Sequence, residues 1–329
     1  MNEKISDGLI TKADETNQGE NSPMNLNNLH CIDLDMPVME GFRKFVSCWL
    51  YHTDGFTFVV DPGPLSTMPH LLAELRKLKV ERLDYILLTH IHIDHAGGTG
   101  ALLKEYPAAQ VICHPQGLKH LLDPEQLWRG SQQVLGALAV VYGEILPVPE
   151  TNIGSAEQLE NCGLRLFRTP GHAQHHCCYL FDELLFGGEI AGVHSEVKEG
   201  IYLRPATPPR FILEVALDSL QRMIELQPRY MVIAHYGLVE PAVDYLQIAS
   251  KQLTLWVKGI ALLTRDKKNP SELEILDWLL HHDEHYRNQE QLDDDIRARE
   301  LYFLGNSIRG MSDYVDKLTV EKRRSMCQP

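Results

Sequence analysis

Short apolar runs that end in turn residues alternate with amphipathic stretches through the first two thirds of this chain. Residues 56–60 form a β-branched and aromatic run closed by Asp61-Pro62-Gly63, which predicts a buried strand and a turn. Residues 66–79 carry Leu71, Leu72, Leu75 and Leu78 at helical spacing. Residues 85–88 predict a second buried strand, Gly97-Gly98 breaks the chain, and a helix begins near Thr99. Residues 110–113 predict a third strand, so helices are expected to cover sheets. Further strands are predicted at 164–167, 177–181, 184–186 and 231–234, with an amphipathic helix at 211–227 that Pro228 ends. Adjacent Cys177 and Cys178 should point to opposite faces of their strand.

Beyond residue 241 the strand signal stops. Residues 241–263, 271–287 and 292–320 are helix-prone, and Asn269-Pro270-Ser271 marks a break with an N-cap. The expected organisation is a polar, disordered tail over 1–28, a catalytic domain over 29–240 and a helical C-terminal module over 241–329. That module either packs on the core or serves as a homo-oligomerisation element.

Composition narrows the function. With 329 residues and 44% apolar content the chain can bury a full core, and its net charge of −14 disfavours a nucleic-acid partner. No window has the length of a membrane span, and the N-terminus lacks the apolar core of a secretory signal. Seven cysteines without a CxxC predict reduced, buried thiols in a cytoplasmic protein.

The chemistry concentrates in Thr89-His90-Ile91-His92-Ile93-Asp94-His95-Ala96-Gly97-Gly98, where a strand runs into a loop. Three imidazoles and a carboxylate within six positions suit zinc first, and iron or manganese as alternatives. Three later strand exits each place a donor beside glycine: His172 in Thr169-Pro170-Gly171-His172, Glu189 in Phe186-Gly187-Gly188-Glu189, and His235 in Ile233-Ala234-His235-Tyr236-Gly237. His175 and His176 follow His172, one able to face the site and the other the core. Tyr202 to Phe211 is stiffened by prolines and is a candidate wall or lid. Within and near it, Tyr202, Arg204 and His194 are candidate substrate contacts; Arg204 would pair with a substrate anion or else with a surface carboxylate. His281 and His285 are read as solvated helix positions.

The ordered set of Asp61, His90, His92, Asp94, His95, His172, Glu189 and His235 resembles the metallo-β-lactamase superfamily over residues 29–240. The resemblance implies an α+β fold, a four-layer αβ/βα sandwich with two mixed β-sheets. It implies two divalent metal ions, the first on His90, His92 and His172, the second on Asp94, His95 and His235. Glu189 stands where that family usually bridges with aspartate, and Asp61 would orient a ligand. The implied activity is that of a metal-dependent hydrolase using a metal-bound hydroxide on a small ester, thioester, lactone or phosphodiester, with Asp94 catalytic. A glyoxalase-II-like branch is suggested by the histidines after His172 and the helical module. The alternatives are an iron-dependent redox enzyme of the same fold and a metal-containing, ligand-responsive regulator. Antibiotic degradation is disfavoured without an export signal.

Overall fold

A computed structural model describes residues 24–266 and 270–326. The first sheet has the order β1 (Leu29–Asp33), β2 (Ser47–His52), β3 (Thr57–Val60), β4 (Tyr85–Leu87) and β5 (Gln110–Ile112). Its first two pairings are antiparallel and its last two parallel. The second sheet is built from β6 (Leu164–Arg168), β7 (Cys177–Phe181) and β8 (Leu184–Phe186), then β11 (Tyr230–Val232) and β12 (Leu238–Val239). The antiparallel hairpin β9 (Val193–Glu196) and β10 (Ile201–Arg204) lies between them in the chain. Only the β8–β11 pairing in the second sheet is parallel. Both sheets are therefore mixed, as expected.

The period-two alternation of the strands separates three layers of core. Phe58, Val60, Cys177, Tyr179 and Phe181 meet between the sheets. Val59 faces the other way, into a core with α1 (Met68–Lys77), α2 (Ile93–Ala96), α3 (Thr99–Glu105) and α4 (Pro115–Leu122). Cys178 and Leu180 face a third core, so the two adjacent cysteines do lie on opposite faces of one strand. Helices on both outer faces complete the four layers.

Among the helices that went unread in the sequence are α4, α5 (Glu125–Leu135) and α6 (Ala137–Tyr142). None of the α5 residues is fully buried, so this helix shows little of the apolar stripe that marks a core helix. After α7 (Ala156–Glu160), α8 (Leu213–Glu225) buries Leu213, Ala216, Leu220 and Met223, a stripe of three- and four-residue steps. The C-terminal helices are α9 (Ala242–Asp266), α10 (Glu272–His282), α11 (Glu284–Arg287), α12 (Asp294–Asp316) and α13 (Val320–Met326). Trp256, Ile275, Leu304 and Met311 share one cluster with Cys178, Leu180 and Met231, so these helices cover the second sheet. Ser271 caps α10 in a reciprocal capping box with Glu274, the break expected there; Asn269 lies outside the described residues.

At the N-terminal end the expected tail divides. Residues 1–23 lie outside the described residues, whereas Leu26–Asn28 form a 3₁₀ turn and Met24 and Leu26 pack on the inter-sheet core. Residues 202–204, expected to be irregular, instead belong to β10; irregular backbone begins only at Pro205. Among the described residues no helix is long and apolar enough to cross a membrane.

Candidate metal centre

Strand direction brings the predicted donors to one edge. β8 and β11 are parallel, and β6 is antiparallel to β7, which is antiparallel to β8; β6, β8 and β11 thus run the same way. Their exits carry His172, Glu189 and His235. In the first sheet β3 and β4 are parallel, and their exits carry Asp61 and the His90–His95 loop.

The loop is held by its alternation. Ile91 and Ile93 are buried in the core of the first sheet, which leaves His90, His92, Asp94 and His95 to turn toward the second sheet's exits. At Gly98 the loop crosses the turn after β3: its N–H donates to the Gly63 carbonyl at 2.8 Å, and a Cβ there would lie 3.1 Å from that backbone oxygen, a tight contact that glycine avoids.

Two adjacent donor sets result. One is His90, His92, His172 and Glu189; the other is Asp94, His95 and His235. In the first, Nε2 of His172 lies 3.0 Å from Nδ1 of His92. In the second, the Nε2 atoms of His95 and His235 are 3.2 Å apart. Donor atoms around a tetrahedral zinc with bonds of about 2.0–2.1 Å would be spaced about 3.3 Å, so the spacing fits. Glu189 lies between the sets. Its Oε2 is 2.9 Å from His172 Nε2, 3.2 Å from His90 and 3.5 Å from His95, while Oε1 is 3.6 Å from His235.

Buried partners on the far side of each ring fix which nitrogen is offered. Asp61 accepts hydrogen bonds from the N–H and hydroxyl of Thr89 at 2.8 and 2.6 Å, and from His95 Nδ1 at 3.2 Å. Because the Thr89 hydroxyl proton is committed to Asp61, its oxygen accepts from His90 Nδ1 at 3.0 Å. That leaves His90 Nε2 bare, and it is a buried nitrogen with no hydrogen-bond partner, aimed at the centre. His172 Nδ1 donates to the Ala206 carbonyl and His235 Nδ1 to the Phe45 carbonyl, each at 2.9 Å. Asp61 adopts φ +51°, left-handed backbone that Asp tolerates better than most residues.

The electrostatics suit a cation. Burial, with His95 and His92 close by, holds His90 well below the ordinary histidine range. Burial and the rings of His172 and His175 do the same for His92. Burial resists ionisation of Glu189, but His172 and His235 outweigh it and keep the carboxylate anionic. At His95 burial is overcome by Asp94, Asp61 and Glu189, which pull positive charge onto the ring. His90 and His92 are thus held in the neutral form that metal binding requires, whereas His95 would have to release a proton as a metal enters.

Some sequence assignments change. Arg204 is buried and ion-paired with Glu300 of α12, which also takes the Tyr202 hydroxyl at 3.3 Å. Their polar groups are therefore engaged within the fold, although Arg204 also lines the cavity above the centre. His194 is buried, and its Nδ1 donates to the Tyr236 carbonyl at 2.8 Å; it does not line the cavity above the centre. The two histidines after His172 divide as expected: His175 lines that cavity, while His176 accepts the Glu189 N–H at 3.1 Å and bonds Thr169 at 2.8 Å. Thr89 and Phe45 were not read as parts of the site, and which of His175 and His176 faces it was left open. Thr89 and His176 adjoin its motifs, but Phe45 carries no local signal.

His92, Asp94, His172, Glu189 and His235 form the floor of a cavity of about 700 Å³, with His90 and His95 buried beneath it. Its walls come from α5, from residues 170–175 and 204–212, and from Phe303, Asn306 and Ser307 of α12. Leu127, Val134, Leu135, Ile212, Val215 and Phe303 make much of the lining apolar.

A four-layer αβ/βα sandwich with histidine and carboxylate donors at its strand exits defines a class of metal-dependent hydrolases. The chain belongs to the metallo-beta-lactamase superfamily, whose profile matches residues 41–235, more than half of its length. It is 36% identical over 236 residues to the metallo-beta-lactamase fold-containing protein ST1585 of Sulfurisphaera tokodaii, covering 67% of this chain and 86% of that protein. The solved structure of ST1585 superposes with a TM-score of 0.56 at 27% identity, over 79% of this chain and 98% of the other. Hydroxyacylglutathione hydrolase of Aeromonas salmonicida is 31% identical over 180 residues, which span 54% of this chain and 56% of that enzyme. TTHA1429 of Thermus thermophilus, a metallo-beta-lactamase family protein, shares the fold with a TM-score of 0.60 at 17% identity, over 89% of this chain and 94% of that one.

Proposed function

We propose that this protein is a two-zinc hydrolase of carboxylic esters or thioesters that carry an apolar acyl group. The observation that carries the reading is the Glu189 carboxylate reaching both histidine sets at the floor of a largely apolar cavity. His90, His92 and His172 would hold one ion and Asp94, His95 and His235 the other, with Glu189 between. When bound, such a pair supplies Lewis-acid polarisation and brings the pKa of a water toward neutrality.

The chain's own groups do the rest. Asp61 and the Phe45 and Ala206 carbonyls hold three imidazoles in the tautomers that present Nε2. Asp94 lines the cavity, with Oδ2 3.6 Å from Nε2 of both His95 and His235, where it can orient the attacking water and take its proton. Leu127, Ile212 and Phe303 exclude water around the acyl group. Phosphodiesters fit less well. Of the arginines lining the cavity, Arg204 is neutralised by Glu300, and only Arg210 has no carboxylate partner among the described residues.

The test is elemental analysis of the purified protein followed by a panel of acyl esters, acyl thioesters and bis-p-nitrophenyl phosphate. Two zinc ions per chain and chelator-sensitive turnover of the carbonyl substrates are expected. Each methylene added to the acyl group should raise kcat/KM about fourfold until the cavity fills, from about 0.8 kcal/mol per buried methylene. Metal-loaded protein that turns over none of the carbonyl substrates would refute the proposal.

A further inference from the structure

Two of the metal-facing histidines are oriented by backbone carbonyls, Phe45 O for His235 and Ala206 O for His172. These carbonyls lie 161 positions apart in the chain and orient histidines of different donor sets, yet a single helix grips both segments.

At the first segment, Arg299 of α12 donates to the Gly41 carbonyl at 2.7 Å and to the Arg43 carbonyl at 3.4 Å. Its guanidinium carbon lies 4.1 Å from the centre of the Phe45 ring. That ring stacks on His235, with centroids 4.3 Å apart and planes 25° from parallel, and Phe303 of α12 stacks on it at 5.3 Å. Arg43 ion-pairs with Asp293 and Asp295 at the start of α12. Gly41, at φ +81°, runs so close that a Cβ would lie 2.4 Å from the Asp295 carbonyl oxygen.

At the second segment, the Ser307 hydroxyl donates to the Pro205 carbonyl at 2.9 Å and accepts the Thr207 N–H at 3.2 Å. The Thr207 hydroxyl donates to the Ser307 carbonyl at 3.2 Å. Ala206 is therefore pinned on both sides. Gly310 allows this closeness, since a Cβ there would lie 2.0 Å from the Thr207 carbonyl oxygen. Between the two grips, Glu300 takes hydrogen bonds from Arg299 at 2.8 and 3.0 Å and pairs with Arg204, which ties α12 to β10.

We propose that α12 aims one histidine in each donor set, Arg299 acting through Phe45 on His235 and Ser307 acting through Ala206 on His172. Both are positioning residues, and the C-terminal helix is then part of the metal-binding apparatus as well as a cover for the second sheet. The proposal rests on the reading that both donor sets take metal. The two grips touch different sets, so their effects separate: loss of the Arg299 grip loosens the Asp94, His95, His235 set, and loss of the Ser307 grip loosens the His90, His92, His172 set. Outer partners of ligating histidines typically contribute 10- to 100-fold in metal affinity.

The experiment is cobalt(II) titration of the metal-free full chain, followed by visible absorption, with the bands of each set assigned from His172→Ala and His235→Ala. Arg299→Met keeps the apolar stem, and Arg299→Lys restores a cation over the ring. Arg299→Met should weaken the band of the His235 set at least tenfold and the other less than threefold. Arg299→Lys should recover part of that loss. Ser307→Ala should show the opposite pattern. Thermal midpoints of the metal-free variants give the purely structural cost. Equal weakening of both bands in step with a lowered midpoint would overturn the proposal, as would unchanged affinities in both variants. Wild-type protein that takes up fewer than two cobalt ions per chain would instead overturn the two-metal reading on which the proposal stands.

Discussion

Shortening Glu189 to aspartate tests whether the longer side chain is what lets one carboxylate serve both donor sets. The backbone cannot advance to compensate. The Glu189 N–H is bonded to His176 Nε2 at 3.1 Å, and Gly188, at φ +55°, already lies so close that a Cβ would be 2.5 Å from that same nitrogen. Removing one methylene withdraws the carboxylate by about 1.5 Å, the length of a carbon–carbon bond. The present reach is 2.9 Å to His172 on one flank and 3.6 Å to His235 on the other. A carboxylate held on the His172 flank would then stand about 5 Å from His235, beyond shared coordination. Loss of that shared ligand should weaken the second zinc at least tenfold, or ~1.4 kcal/mol. The vacated methylene should lower the stability of the metal-free protein by about 1 kcal/mol. Zinc stoichiometry against a competing chelator measures the first effect and denaturant unfolding the second. A Glu189→Asp protein that binds its second zinc as tightly as the wild type would refute the reasoning, because reach would not then control the site.

Asp61→Asn should keep the fold, since Asn also accepts left-handed backbone, but lose the anionic partner of His95; metal competition should show a 10- to 100-fold weaker second ion. Glu300 is fully buried; burial disfavours its charge, but Arg204 and Arg299 outweigh this and hold its carboxyl below the usual range. A depressed carboxyl stabilises the fold fully above its unfolded pKa of about 4.3 and loses that contribution as pH falls through the lower folded value. Glu300→Gln should therefore cost about 3–5 kcal/mol at pH 7 and flatten the acid limb of a stability–pH curve, as urea unfolding from pH 7 to pH 3 would show. Burial pushes the thiols of Cys113 and Cys178 up to about 12, so iodoacetamide at pH 7.5 should leave both unmodified in the native protein and label them after denaturation, as peptide mass mapping would show. Native labelling of either would refute the buried placement.

The donor set was legible because its signals are local. The isoleucines at 91 and 93 interleave with the histidines, and each later donor lies just past an apolar run with glycine close by, before it at His172 and Glu189 and two residues after it at His235. Strand β7 and strand β8 were legible for the same reason, with their apolar runs bounded by turns. Strands β1 and β2 were not. Five of the six β2 residues are buried, so no alternation marks its faces, and in the edge strand β1 only Ile32 is buried, so no regular alternation marks that strand either. Helix α5 shows too little apolar face to announce itself, yet it walls the cavity.

By itself the sequence determined the alternation of strands and helices, the candidate donors and the order in which they leave the strands, because these rest on short-range pattern and on side-chain chemistry; the four-layer sandwich followed only from the family resemblance. Only the tertiary structure decided what each polar group faces. Arg204, read as a substrate contact, is claimed by Glu300 from 96 positions away, and Phe45, which carries no chemical signal of its own, sets the orientation of His235 from 190 positions away. Burial makes such pairings obligatory, since a charge or ring nitrogen removed from water must find a partner, but which partner it meets is fixed by packing between elements that are remote in the chain.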